Sequence, residues 1–292
     1  ELKGAALDKF MLKKKGKHWD GAPVPTISVI DLKQETLDFF RKRAFKSQRI
    51  VEEILTDSNE LLIENLQLRE NKLLKRAAIL LFYNNPEKFI TGAYIKIGFF
   101  QTDDDLKYQD EVHGNLFEQT EKTMDLLFTK YIKAEISYQS INRIEKFEYP
   151  KDAVREALLN AIAHKDYSGG APIQISVYKD KIIFWNEGQL PENWTVENLL
   201  IKHPSKPYNP DIAQAFFRSG YIESWGRGTL KMVNECKNAG LPEPIYFYSM
   251  SGFFFLFRKH IYTTKYLKSL NLNEKLIKAV LHVKENGKIT NG

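Results

Sequence analysis

Arg155-Glu156-Ala157-Leu158-Leu159-Asn160-Ala161-Ile162-Ala163-His164-Lys165-Asp166-Tyr167-Ser168 is the stretch on which the fold turns. Its first ten residues continue a run of strong helix formers that opens behind Pro150 and Asp152, which predicts a helix over 153–164. Glu156, Asn160 and His164 recur at every fourth position. At about 100° per residue they drift only about 80° around the axis, so they form one polar stripe. Val154, Ala157, Leu158 and Ala161 form the stripe that faces a core. The polar stripe has two readings. It is a solvated face, or it faces a site where a carboxylate activates water and an amide oxygen one turn on ligates a hard cation such as Mg²⁺. Spacing does not choose between them.

Two segments downstream add weight to the second reading. Ile173 to Val177 alternates as a half-buried strand, Lys179-Asp180-Lys181 turns the chain, and Ile182 to Trp185 returns as a second strand. It ends in Asn186-Glu187-Gly188, where glycine lets a ligand approach the backbone. Gly226-Arg227-Gly228-Thr229 then stands directly before a helix over 230–238, stopped by Gly240 and Pro242. A glycine turn opening a helix presents free N–H groups and the positive dipole end to phosphates. Alone it is a common way to start a helix; its place after the other two segments gives it meaning.

The rest of the chain reads more plainly. An amphipathic helix is expected over Leu2 to Lys15, broken by Trp19 to Pro25, with Ser28 and Asp31 offering caps for a helix around Leu37 to Arg43. Residues 51–72 begin as helix, 76–83 are helix or strand, 93–100 are strand, 115–131 are helix, and 136–148 are extended. Phe253 to Phe257 reads as the last sheet strand, buried on both faces. His113 lacks a spaced partner for a metal site, Cys236 reads as a small core residue, and His164 reads as a helix-end cap before a ligand contact.

Length and composition bound the class. The chain has 292 residues, enough for two compact domains, with 43% hydrophobic and 27% charged residues, ordinary for a globular protein. No apolar run approaches the roughly 18 residues of a membrane span. One cysteine excludes an intrachain disulfide and a cysteine-rich zinc site, and together these features point to the cytoplasm. Residues 1–50 hold 12 Lys+Arg against 6 Asp+Glu, and residues 258–292 hold 8 against 2. Basic ends around an acidic centre assign any nucleic-acid contact to the ends, with Lys13-Lys14-Lys15-Gly16-Lys17 either touching phosphates or simply solvated.

The 155–168 stretch, Asn186-Glu187-Gly188-Gln189-Leu190-Pro191, and Glu223-Ser224-Trp225-Gly226-Arg227-Gly228-Thr229 together resemble one family. It is the divergent GHKL (Bergerat-fold) ATPase branch of bacterial and archaeal transcriptional regulators, RecG-like in its C-terminal ATPase, with a Schlafen/AlbA-type DNA-binding domain ahead of it and often a winged helix behind. The resemblance implies an α+β fold, a GHKL-type sandwich with a mixed, largely antiparallel sheet and helices on one face, preceded by a smaller α/β region. It implies a tail over 1–25 following an absent DNA-binding domain. An α/β region over 26–145, an ATP-binding domain over 146–262 and the start of a truncated winged helix over 263–292 follow.

By the same likeness Glu156 is the water-activating base and Asn160 the Mg²⁺ ligand. Gly188 admits adenine, Gly226 and Gly228 cradle phosphates, and Thr229 adds a donor. Residues 191–220 form a lid with Lys206 as a phosphate contact. One departure weakens the expected ATP binding: Asn186 stands where the family carries an aspartate, and its amide oxygen accepts without charge assistance. The implied cofactors are ATP and Mg²⁺. The implied partners are DNA, through the flanking domains, and a second copy of the chain, with no membrane. The alternative is a catalytically silent scaffold that joins DNA-binding domains.

Overall fold

The computed structural model describes residues 10–12, 14–139, 142–223, 226–259, 262 and 264–287. The expected helix over Leu2 to Lys15 falls largely outside them, as do Ser224 and Trp225. In chain order the helices are α1 (Gln34–Ser47), α2 (Asn59–Asn65), α3 (Arg76–Phe82), α4 (Leu116–Leu126), α5 (Lys151–His164), α6 (Pro210–Arg218), α7 (Gly228–Asn238), α8 (Thr264–Ser269) and α9 (Glu274–Asn286). The strands are β1 (Pro23–Val24), β2 (Arg69–Glu70), β3 (Leu73–Lys75), β4 (Ile95–Thr102), β5 (Asp105–Val112), β6 (Ala134–Gln139), β7 (Asn142–Phe147), β8 (Ile173–Val177), β9 (Lys181–Glu187), β10 (Ile245–Ser249) and β11 (Gly252–Arg258).

The main sheet has six strands in the order β10-β11-β9-β8-β4-β5. Every neighbouring pair is antiparallel except β4 and β8, which run parallel from Ile95 beside Ile173 to Phe99 beside Val177. The fold is therefore the mixed, largely antiparallel α+β arrangement that the sequence implies. Strands β4 and β5 come from the first half of the chain, so residues on both sides of position 145 build one sheet. They also share one core. Phe40, Phe82 and Phe117 from the first half meet Phe216 and Tyr221 from the second, at ring separations of 5.3 to 5.8 Å. Edge-to-face contacts of this kind add to the large apolar area that the rings remove from water.

Several elements differ from the sequence expectation for local reasons. Ser28 and Asp31 do form a capping box, but around a short 3₁₀ turn, Val29–Asp31; α1 starts behind Lys33, which has no side-chain cap bond. The run 76–83 is helical from Arg76 to Phe82, with Ala77 to Phe82 all buried. The helix opened by Asn115, whose side chain accepts from the Glu118 N–H, widens into a π turn at Leu127–Tyr131. The expected lid, 191–220, ends early: its last part is α6, where Ile212 and Phe216 are fully buried in the core. Helix α9 closes on Gly287 in the left-handed conformation.

The segment Trp19–Ala22 ties these elements together. Arg76 and Ala77, at the start of α3, donate backbone N–H groups to the carbonyls of Ala22 and Asp20. The Asp20 carboxylate, wholly buried, accepts from the N–H groups of Asp211 (2.9 Å) and Ile212 (3.2 Å) in the first turn of α6. Trp19 stacks on Tyr167 at 6.1 Å, with the Arg76 guanidinium 4.4 Å over the indole.

Burial, reinforced by the nearby Asp211, pushes Asp20 up to about 7, against which the two N–H bonds and Lys75 pull down. A carboxyl raised this far is protonated in the folded chain and ionised in the unfolded chain between about pH 4 and pH 7. Its contribution to stability is therefore present below that window and lost as pH rises through it. Thermal melts of Asp20→Asn against wild type from pH 5 to pH 8 are expected to move steadily in favour of the variant. A difference that stays flat with pH would show that Asp20 does not titrate in this window.

Candidate functional site

Helix α5 is the centre of the site because it is buried nearly all round. Ala153, Val154, Ala157, Leu158, Leu159, Ala161 and Ile162 are all fully buried, and the helix packs on both α7 and β9. Beyond the exposed first turn and the half-buried Arg155, the partly open residues are Glu156, Asn160 and His164, and all three line a cavity. The solvated-face reading of the stripe is thereby set aside. At its C-terminus the helix is finished by a distant residue: the Asn209 amide donates to the carbonyls of Ala163 (3.1 Å) and Lys165 (2.7 Å). Next to it, the Asp166 N–H donates to the Glu187 carbonyl at 2.7 Å, which joins the end of α5 to the end of β9.

Pairing along β9 decides which side chains face the helix. Ile182, Phe184 and Asn186 point to the core side, so Asn186 is the last residue of that row and stands beside the cavity. It is 1% exposed. Its Nδ2 donates to the Glu187 carbonyl at 3.1 Å, while its buried Oδ1 has no hydrogen-bond partner. The amide therefore presents an acceptor to the cavity. Gly188 follows and also lines the cavity. A Cβ there would lie 2.8 Å from the His164 carbonyl oxygen, so the close approach that glycine allows is made by the chain itself.

The glycine turn closes the opposite wall. Gly228 begins α7, and a Cβ at this position would lie 2.0 Å from Glu156 Oε1 and 3.3 Å from Asn160 Nδ2. The first turn of α7, with N–H groups that no carbonyl of the helix can satisfy, is thus set directly against the acid and the amide. Asn160 Nδ2 donates to Glu156 Oε1 at 3.3 Å, which leaves the Asn160 Oδ1 as its acceptor for other company. Burial pushes the Glu156 carboxyl above the usual carboxylate range; Lys231 on α7, the Asn160 bond and Arg155 pull it back. Gly226 holds φ +60°, and there a Cβ would lie 2.2 Å from the His203 carbonyl oxygen.

One cavity thus gathers Glu156, Asn160, Asn186, Gly188, Lys206, Gly226, Gly228 and Thr229. Thr229 differs in detail, since its hydroxyl donates to the Leu199 carbonyl at 2.6 Å and pins the Val196–Leu200 turn of the lid to α7. Lys206 is exposed at the rim, with its ammonium 5.7 Å over the Trp194 ring. Sequence reasoning passed over Trp194, His203, Arg227, Leu190 and Phe255, which share the wall. No periodic or spacing signal marks the lid residues, because they sit on irregular backbone. His164 makes no cap; it lines the cavity, and burial, with a smaller push from His203, pulls its imidazole down to about 4.

Elsewhere the reading of Cys236 as a core residue holds. Cys236 is buried, and His113 bonds Glu87 at 2.6 Å. No cluster of three or more metal-ligating His, Cys, Asp or Glu residues occurs among the described residues. Nor is any described helix long and apolar enough to cross a membrane.

Comparison with known proteins bears on this geometry. Residues 170–257 match the family described as "Putative ATP-dependent DNA helicase recG C-terminal". No curated protein matches the chain. The crystal structure of the DIP2311 protein from Corynebacterium diphtheriae is similar, with a TM-score of 0.68 and 19% identity, covering 86% of this chain and 50% of that one. The chain spans about half the length of that relative, and at this identity the likeness speaks for the fold. The matched segment holds Asn186, Gly188, Lys206 and the glycine turn, while Glu156 and Asn160 precede it and reach it through the packing of α5 on α7. Residues 170–257 thus match the RecG C-terminal ATPase-like family, in keeping with the divergent GHKL resemblance that the three sequence segments carry.

Proposed function

We propose that the cavity binds an adenine nucleotide with Mg²⁺, ATP in the first instance, and that Glu156 serves hydrolysis of its terminal phosphate. The observation that carries this reading is the closeness of Gly228 to both Glu156 and Asn160, which sets a helix N-terminus, an acid and an amide around one space. The residues fit the group. Asn186 Oδ1, buried and unpartnered, is an acceptor suited to the adenine amino group. Asn160 Oδ1 suits a hard cation, and the N–H groups at Gly226 and Gly228 suit phosphate oxygens. When bound, Mg²⁺ would supply charge neutralisation at the phosphates.

The chain's own residues supply the rest. Glu156 accepts a proton from water, and a carboxyl raised by burial is a better base for that task than an ordinary one. Leu190, Pro191 and Phe255 line the cavity with apolar surface that excludes solvent. For the protein as a whole we propose a transcriptional regulator that contacts DNA through its basic ends, supported by 12 Lys+Arg against 6 Asp+Glu over residues 1–50. A silent scaffold is the second reading, favoured by one observation: Asn186 replaces the family's charged adenine contact.

Melting of wild type with millimolar ATP and Mg²⁺ is expected to shift upward, by about 2.7 kcal/mol of stabilisation at a hundredfold excess over Kd. Glu156→Ala keeps the shift and loses phosphate release, and Asn160→Ala loses the part of the shift that depends on Mg²⁺. No shift in wild type would rule out the nucleotide reading; a shift without turnover would leave the scaffold.

The two glycines separate fold from site. Ala at 226 meets main chain at a left-handed position and is expected to cost about 1–2 kcal/mol. Ala at 228 meets the ends of two side chains, Glu156 and Asn160, and no main chain, so Gly228→Ala should melt near wild type while losing ATP affinity. Equal destabilisation by both, measured by urea unfolding, would contradict the contact assigned to Gly228.

A further inference from the structure

The lid holds a histidine that the preceding roles leave unused. His203 lies between the Val196–Leu200 turn and α6 and shares the cavity wall with Glu156, Gly226 and Lys206. Its main chain is pressed on the glycine turn, and a Cβ on Gly226 would lie 3.0 Å from its Nδ1. Trp194 braces the imidazole edge-to-face, with centroids 5.0 Å apart. Nδ1 stands 3.0 Å from the Pro204 carbonyl oxygen. A carbonyl only accepts, so Nδ1 carries the hydrogen of that bond and the ring's tautomer is set. At the other end of the ring, Nε2 is buried and has no hydrogen-bond partner. A desolvated, unpaired nitrogen carries a free-energy cost that a ligand atom would remove.

We propose that His203 Nε2 is the lid's contact with the nucleotide's phosphates, a step that rests on the nucleotide reading above and deepens it. In the neutral ring Nε2 is an acceptor. Bonding a phosphate oxygen therefore takes one proton from solvent as the anion arrives, after which Nδ1–H donates to Pro204 and Nε2–H donates to the phosphate. The charged and titratable groups that share the cavity are Glu156 and His164 from α5, Lys206 from the lid, and Glu223 and Arg227 from the approach to α7. His164, held down by burial, stays neutral and does not compete for that proton. The Lys206 and Arg227 side chains favour any anion, whereas His203 Nε2 answers only to a group placed against it. The cavity thereby distinguishes a nucleotide from its nucleoside.

Isothermal titration of the full chain with Mg²⁺-ATP and with adenosine, at pH 6 and pH 8, tests this. Wild type is expected to prefer ATP over adenosine more strongly at pH 6. His203→Ala should lose about tenfold of that preference at pH 6 with adenosine affinity unchanged, which also reports that the variant is folded. His203→Gln, whose amide donates at every pH, should make the preference nearly independent of pH. If His203→Ala keeps the wild-type preference while ATP still binds, the role assigned to His203 is overturned and the nucleotide reading survives. If wild type binds neither ligand, the nucleotide reading fails and this assignment falls with it.

Discussion

The carboxylate of Glu156 sets the terms for the rest of the molecule. It sits on a helix whose other faces are sealed by Val154, Ala157, Leu158 and Ala161, each fully buried. An ionisable group at such depth costs several kcal/mol unless charges or hydrogen bonds meet it. Asn160, the start of α7 and Lys231 supply that company. Because α7 must come this close, its first residue has no side chain. Because α5 must stay central, the sheet beneath it is drawn from both halves of the chain. The site and the core are consequently one construction.

Two side chains from far away hold the ends of the helices that frame the cavity. Asn209 finishes α5 by taking the carbonyls of Ala163 and Lys165, and Asp20 starts α6 by accepting from Asp211 and Ile212. The irregular segment between Pro191 and Tyr208 is anchored at its far end by these bonds and near its middle by Thr229 on Leu199. Its path across the glycine turn follows from fixed points in the core. Continuous secondary structure is not needed to hold it there.

What was legible in the sequence was whatever repeats or punctuates. The fourfold spacing of Glu156, Asn160 and His164, the alternation of β8 and β9, and the glycine turn before α7 each carry a local signal, and they delivered the cavity wall. Strand β5 carried none: Asp105 to Val112 is an edge strand whose polar side chains face water on both sides, so no alternation marks it. The lid is shorter than the sequence suggests because α6 closes it early, and nothing in Pro210 to Arg218 announces that Phe216 reaches Phe117, 99 residues away in sequence. Ser28 and Asp31 cap as their types suggest, but a different turn. Asp20 was unreadable: a lone acid beside a glycine gives no hint that it will be sealed from solvent against another helix.

The parallel pairing of β4 with β8 has a consequence for dissection of the molecule. The matched segment, 170–257, begins after α5 and contains β8 but neither β4 nor β5. Excised at those limits, it would carry β8 as a bare rim with a row of unpaired amides and carbonyls, above an apolar face stripped of its central helix. Exposed rims of that kind recruit other strands, so the excised piece would tend to stack with copies of itself. The autonomous unit is therefore wider than the stretch of recognisable similarity, and its outer limit on one side is drawn by a strand that bears no motif.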